Sequence, residues 1–163
     1  MNGFPQNDRI TRFYAAFREL DGAAMQAAYA VDAEFSDEVF TLRGREEIGA
    51  MWRMLCSAVQ DKGRADWKLE FSGIDCDDEV GVAHWEPTYR FSATGRIVHN
   101  IIDAEFAFDR DGLIRKHRDR FDFWRWSRQA LGLPGALLGW SPLLRNKVRA
   151  QAAANLARFR AKC

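Results

Sequence analysis

The sequence predicts an α+β fold in which helices cover one face of a strongly curved antiparallel sheet. Apolar residues recur at helical spacing in the first third of the chain, whereas they alternate with polar residues from Trp67 to Trp124. Short turns separate the alternating segments, which is typical of antiparallel hairpins. Because the helical segments come first and the strands follow, we expect the helices to pack on one sheet face.

Three helices are predicted before the sheet. Residues 8–20 carry an apolar stripe, and Asp21-Gly22 ends it. An alanine-rich second helix is predicted over Ala23–Val31, and residues 34–40 favour a short strand or extended loop. A third amphipathic helix follows Gly44.

The sheet is expected to end in a meander of three strands, over Val80–Phe91, Ile97–Phe108 and Leu113–Trp124. If Thr94-Gly95 is a two-residue turn, Trp85 pairs with Ala104. The same argument for the next turn places Ala104 near His117, and Ile102 near Asp119.

This register separates two sheet faces. The charged face is expected to be solvated or to meet another subunit. It comprises His84, Glu86, Arg90, Asp103, Glu105, Lys116, Arg118 and Arg120. The other face is apolar with three polar exceptions. It comprises Trp85, Tyr89, Asn100, Ile102, Ala104, Phe106, His117, Asp119, Phe121 and Phe123.

The sequence predicts a pocket domain, 1–126, and a helical extension, 127–163, that packs on the same domain. Ser141 and Pro142 predict the start of a last helix that reaches about residue 160. All seven charged residues after Trp126 are basic, whereas residues 1–125 hold 17 basic and 23 acidic side chains. The last helix therefore either docks on the acidic body or meets an acidic partner, an anionic membrane or another subunit.

Composition excludes several classes of protein. A chain of 163 residues that is 47% hydrophobic, with a net charge of +1, is expected to fold as a single globular unit rather than stay disordered. Three cysteines without C-x-x-C spacing predict neither a disulfide framework nor a metal site. No cofactor motif is present, and the absence of an apolar leader or membrane span predicts a cytoplasmic protein.

The candidate catalytic residues are the polar groups that the helices should cover. A buried Asp119 is costly unless it is paired or opens onto a cavity, and His117 points the same way on its strand. Together they have the chemistry of a general base. Asp37 or Tyr14 is the candidate acid, although each has a purely structural alternative as a turn aspartate and a core tyrosine. The expected lining of the ligand pocket is Trp52, Trp85, Tyr89, Asn100 and Phe121.

Four motifs carry a family resemblance. They are F-Y-A-A-F in the first helix, V-D-A-E-F-S-D after the second, R-G-R-E-E-I at the third, and D-R-D-G-L-I at the last turn. Residues 8–126 resemble the SnoaL-like members of the nuclear transport factor two superfamily. This superfamily includes ketosteroid isomerases, polyketide cyclases and limonene epoxide hydrolases. The resemblance implies a cystatin-like cone of sheet around an apolar pocket.

The resemblance also implies roles for individual residues. Asp37 falls where ketosteroid isomerases have their proton-shuttling aspartate, and Asp119 falls on a catalytic aspartate of limonene epoxide hydrolases. The positions of the other catalytic groups of these two families fall on Phe13, Ala104, Trp85 and Pro87, so neither set is reproduced.

Two functions follow as hypotheses. The first is an enzyme that applies cofactor-free acid/base chemistry to a small apolar molecule, as an isomerase, cyclase or hydrolase. The second is a non-catalytic ligand-binding or dimerisation module. An open cavity that reaches Asp119 would favour the enzyme, whereas a closed core with Asp119 satisfied would favour the module. We also expect a homodimer through the sheet and no nucleic-acid partner, since the body is acidic.

Overall fold

The computed structural model describes residues 5–162 and contains six helices and seven strands in that range. The helices are α1 (Pro5–Arg18), α2 (Gly22–Ala27), α3 (Arg45–Lys62), α4 (Phe123–Leu131), α5 (Leu133–Leu138) and α6 (Pro142–Ala161). The strands are β1 (Tyr29–Ser36), β2 (Thr41–Arg43), β3 (Lys68–Cys76), β4 (Val80–Arg90), β5 (Ile97–His99), β6 (Ile102–Phe108) and β7 (Ile114–Arg120).

The strands form one curled sheet, and the predicted α+β class is confirmed. Along the sheet the strand order is β2-β1-β7-β6-β4-β3, and β5 extends the pairing of β4. All pairs are antiparallel except β1 with β7, which is parallel. These two strands are distant in the chain, so no hairpin dictates their relative direction. The apolar stripes of α1 and α3 pack on the concave face.

The predicted register is wrong by two residues in both hairpins. Trp85 pairs with Ile102 rather than Ala104, because the turn has four residues, 92–95, between Phe91 and Arg96, and Phe91 N–H donates to Arg96 O. Ala104 pairs with Asp119 rather than with His117, and a bulge follows Ala107. A shift of two preserves side-chain parity, so the predicted division into a buried and a charged face is correct.

Two predicted boundaries are also wrong. The second helix ends at Ala27 rather than at Val31, and the strand predicted as one of two alternatives for residues 34–40 begins earlier, as β1 (Tyr29–Ser36). The last strand ends at Arg120, because Asp122 caps α4 by accepting the Arg125 N–H at 3.0 Å.

The C-terminal helices pack against the body of the fold. Leu156 of α6 is 3% exposed and belongs to the same core as α1 and α3, and Ala152 and Phe159 pack against that core. Arg145 lies 3.4 Å from Glu38, and Arg160 lies 4.0 Å from Glu47. The last helix is therefore docked on the acidic body.

Among residues 5–162, no helix combines the length and the apolar character needed to cross a membrane.

Candidate functional site

His117 and Asp119 lie next to each other on the inner face of β7. Their side chains are 0% and 2% exposed, respectively. On the neighbouring strand they face Phe106 and Ala104. Two ionisable side chains are thus held in the apolar centre of the fold, where an unpaired polar group is costly.

A chain of hydrogen bonds connects these residues to the helices. The indole N–H of Trp52 donates to the hydroxyl of Tyr29 at 3.0 Å, and that hydroxyl lies 2.7 Å from His117 Nδ1. His117 Nε2 lies 2.8 Å from Asp119 Oδ1. We refer to Tyr29, His117 and Asp119 as the buried relay.

The donor and the acceptor of each hydrogen bond in the buried relay can be assigned. An indole N–H can only donate, so the Tyr29 oxygen accepts from Trp52 and its own proton is free to point at His117 Nδ1. Burial raises the pKa of Tyr29 well above its usual value, which keeps this proton in place. His117 therefore carries its proton on Nε2 and donates it to the carboxylate of Asp119.

Asp119 accepts a second hydrogen bond at the same oxygen. Trp85 Nε1 donates to Oδ1 at 3.3 Å, whereas Oδ2 makes no hydrogen bond with any residue in the range 5–162. A carboxylate held in this way is oriented through one oxygen and keeps the other for a different partner.

Tyr14, unlike Tyr29, has a hydroxyl that makes no hydrogen bond within residues 5–162. It is fully buried in α1, with its ring stacked on Phe71 at 5.5 Å and tilted against Trp85, yet its hydroxyl has no hydrogen-bond partner in the described part of the chain. Burial and the nearby charge of Asp119 raise the pKa of Tyr14 well above its usual value. Tyr14 is thus a neutral, unused donor within the electrostatic range of Asp119.

Asp37 follows β1 and continues its register with β7. Ser36 pairs with Arg118, so Asp37 comes next to Asp119 along the two parallel strands. Its Oδ1 accepts the backbone N–H groups of Val39 at 2.7 Å and Phe40 at 2.6 Å. Removal from water raises the pKa of Asp37 from 3.8 to about 7, the two N–H donors oppose this, and the charge of Asp119 adds to it.

The predicted lining residues are divided between two depths. Trp52 and Trp85 belong to the central core, at 2% and 5% exposed. Tyr89 and Phe121 are half-buried and pack against the smaller cluster under α4, where Tyr89 accepts the indole N–H of Trp126 at 2.9 Å. Asn100 is buried, and its side-chain oxygen accepts the N–H of Ile101.

The core around the buried relay is closed. Aromatic rings enclose His117, with Phe106 at 4.4 Å, Phe35 at 5.0 Å and Phe13 at 6.0 Å between ring centroids. Two clefts, of about 380 and 370 Å³, lie elsewhere: one between β5 and α4, the other between α1, α2 and the end of β6. Neither cleft is lined by Asp119.

The charged face of the sheet holds a second set of histidines. His84 lies 2.8 Å from both Asp103 and Glu86, and His99 lies 2.7 Å from Glu86. These contacts raise the pKa of His84 and lower that of Glu86. The predicted lattice of opposite charges is therefore observed.

Within residues 5–162, no group of three or more His, Cys, Asp or Glu side chains is arranged to hold a metal ion.

The sequence argument missed Tyr29. It falls within the predicted second helix, Ala23–Val31, but it lies on β1, and its hydroxyl reaches His117 from 88 residues away in the chain. The sequence provides little strand signal here, because alanines surround Tyr29 and a register shift between Tyr29 and Glu34 breaks the alternation of buried and exposed residues.

Fold and site together define a class: a curled sheet closed by helices, with ionisable groups on its concave face. The model of the SnoaL-like domain matches residues 10–117. The chain therefore belongs to the SnoaL-like domain family. No curated protein sequence is significantly similar to it.

Solved structures share this fold. A putative polyketide cyclase from Silicibacter sp. TM1040 superposes with a TM-score of 0.61 at 21% identity, over 79% of this chain and 98% of the other. An LEH-like epoxide hydrolase from M. tuberculosis gives 0.60 at 19% identity, over 85% and 94%. A protein from Silicibacter pomeroyi DSS-3 with a cystatin-like fold gives 0.57 at 13% identity, over 87% and 92%. At these identities the similarity establishes the fold.

Proposed function

We propose that the protein is an enzyme that performs acid/base chemistry on a small apolar molecule, in the manner of an isomerase, cyclase or epoxide hydrolase. The observation that carries this proposal is the buried relay. A directed chain of donors ends on a carboxylate in the centre of an apolar core, where a purely structural core would favour hydrophobic residues. The fold neighbours named as a polyketide cyclase and an epoxide hydrolase belong to the same reaction classes.

The residues have complementary roles in this chemistry. Asp119 is the base: His117 and Trp85 hold one carboxylate oxygen, and the other accepts the proton from the substrate or from an attacking nucleophile. Asp37, with a pKa of about 7, is the acid that returns a proton near neutral pH. Tyr14 stays protonated and supplies a hydrogen bond to developing negative charge.

The test is turnover of panels of apolar epoxides and enolisable ketones by the wild type and by Asp119→Asn. We expect Asp119→Asn to lower kcat about 10²- to 10⁴-fold, the usual contribution of a positioned base. Asp103→Asn is the matched control, since that carboxylate is 77% exposed on the charged face. Equal turnover by the wild type and Asp119→Asn would assign the chemistry to other residues.

A second candidate is a non-catalytic binding or dimerisation module, and the closed core favours it. One oxygen of Asp119 accepts from both Trp85 and His117, and neither cleft described above is lined by Asp119. Native mass spectrometry distinguishes the two candidates. A small molecule retained in the purified protein, with no turnover of the panel and unchanged retention in Asp119→Asn, would support the module.

A further inference from the structure

Large apolar side chains are exposed on α5, on the segment that joins it to α6, and at the start of α6. Exposure is 71% for Leu133, 62% for Leu137, 48% for Leu138, 74% for Trp140 and 78% for Leu143. We call these five residues the apolar ridge. Single exposed apolar residues are ordinary on protein surfaces, but a cluster of this kind marks an interaction site.

The apolar ridge is held rigidly rather than being a loose loop. Gly135 and Gly139 pack so closely on Ser127 that an added Cβ would lie 1.9 Å from its carbonyl oxygen and 2.1 Å from its hydroxyl, respectively. Trp124 Nε1 donates to Ala136 O at 3.1 Å. The indole N–H of Trp140 donates to Leu137 O at 2.8 Å, so the indole carries no unpaired donor into an apolar environment.

A positively charged cleft adjoins the ridge. This cleft of about 380 Å³ is lined by Arg96, Ile97, Arg125, Arg128 and Gln129, and none of these residues is acidic. We call it the arginine cleft.

Two contacts join the arginine cleft to residues that flank the ridge, Trp124 and Gly132. The guanidinium of Arg128 lies 4.2 Å over the ring of Trp124, and Arg96 lies against Gly132 at the start of α5. Arg125 Nη1 is buried and has no hydrogen-bond partner in the described chain. Such an orphaned donor matches an anionic oxygen.

Exposed leucines, an interfacial tryptophan and arginines that make no ion pair within residues 5–162 match the boundary of an anionic bilayer, although Arg96 Nε donates to Gln129 O at 2.8 Å. Leucine side chains enter the acyl region, the indole lies at the headgroup level, and arginines bind phosphate. No acidic residue occurs in 123–162, so nothing in this segment repels anionic lipid. A second copy of the chain fits less well, because a symmetric contact through the ridge would bring the two arginine clefts near each other.

We propose that the apolar ridge and the arginine cleft dock the protein on the surface of an anionic phospholipid membrane. The ridge enters the interface and the cleft binds the phosphate headgroups. Lys147 adds to this surface, since it is exposed one turn after Leu143 on α6. The docking is peripheral, and it places the body of the protein at the membrane, from which an apolar molecule can partition to the protein.

The test is co-sedimentation of the full chain with vesicles of phosphatidylcholine alone or mixed with phosphatidylglycerol. We expect binding to the mixed vesicles that weakens with added salt. Leu137→Glu should lower the partition coefficient at least about tenfold, because an inserted leucine is replaced by an anion. Arg96→Gln with Arg128→Gln should lower it roughly fivefold per arginine.

Two controls keep the outcome specific. Val31→Glu places the same charge at a residue that is 72% exposed on β1, near the end of β7 opposite to α4, and should bind vesicles like the wild type. Trp140→Phe should bind as well but lose part of the blue shift of tryptophan emission on binding. All variants should share the wild-type circular dichroism spectrum.

Several results would overturn the proposal. These are no binding of the wild type to anionic vesicles, equal binding to both vesicle types, or equal losses in Leu137→Glu and Val31→Glu. A wild-type dimer that ignores vesicles and becomes monomeric in Leu137→Glu would show that a second copy covers the ridge.

Discussion

The hydroxyl of Tyr29 has two partners that depend on it. Tyr29→Phe would leave the Trp52 N–H and His117 Nδ1 in the core without a hydrogen bond. Each unsatisfied group costs about 1–3 kcal/mol, so we expect the free energy of unfolding to fall by roughly 2–6 kcal/mol in urea denaturation.

Tyr14→Phe is the matched control for this prediction. It makes the same chemical change at an equally buried tyrosine whose hydroxyl has no partner, so stability should stay the same or rise slightly. Equal effects of the two substitutions would mean that the buried relay is not formed in solution.

The carboxyl of Asp37 links stability to pH. Its pKa is about 7 in the folded protein against 3.8 as the reference value, so the folded state holds a proton that the unfolded state has released between these values. The stability contributed by the neutral group is present below about pH 4 and is lost as the pH rises to about 7.

We therefore expect Asp37→Asn to flatten the pH dependence of the unfolding midpoint between about pH 4 and 7. The asparagine oxygen can still accept the N–H groups of Val39 and Phe40, so the turn should be retained. Denaturation profiles at a series of pH values measure this, and parallel profiles for wild type and variant would contradict it.

At the scale of elements, the sequence predicted well wherever one periodicity dominates. The stripes of α1, α3 and α6 and the inner face of β4, β6 and β7 follow from apolar spacing alone. His117 and Asp119 could be selected because parity places them together on β7.

Features that depend on tertiary contacts were not predicted. The register depends on a four-residue loop and a bulge, which composition does not specify. The early end of α2 depends on the parallel pairing of β1 with β7. Tyr29 joins the site through that same pairing, so local patterns could not reveal it.

The docking of α6 on the body can be tested within a single helix. Leu156 is 3% exposed in the core, so Leu156→Ala should lower the free energy of unfolding by about 2–4 kcal/mol. Leu143→Ala, at 78% exposed on the same helix, should change it by less than about 0.5 kcal/mol. Equal effects in urea denaturation would mean that α6 is not packed as described.

At the scale of the whole molecule, charge is segregated. The seven charged residues after Trp126 are basic, whereas residues 1–125 have an acidic excess. Part of the basic charge faces the body through Arg145, Arg149 and Arg160, whereas Arg128 lines the arginine cleft beside the apolar ridge. The near-zero net charge therefore results from an acidic body and a basic C-terminal extension whose charges nearly cancel.

We propose that the outer face of the sheet meets a second copy of the chain. Val80 is 53% exposed and Val82 49% exposed at the start of β4, and the charges of His84, Glu86 and Asp103 continue the same face. A symmetric contact across this face would let acidic and basic side chains of the two copies pair while the valines pack together.

We expect light scattering to give twice the chain mass of 18.7 kDa at low salt, with dissociation promoted by added salt because the flanking pairs are screened. Val80→Glu should give a monomer, since it places a charge at the centre of the contact. Leu137→Glu is the matched control and should stay dimeric, because the apolar ridge lies on a different surface. A dimer that persists in Val80→Glu and dissociates in Leu137→Glu would show that the dimer interface is the ridge rather than the sheet. The ridge would then be covered by the second copy and could not dock on a membrane.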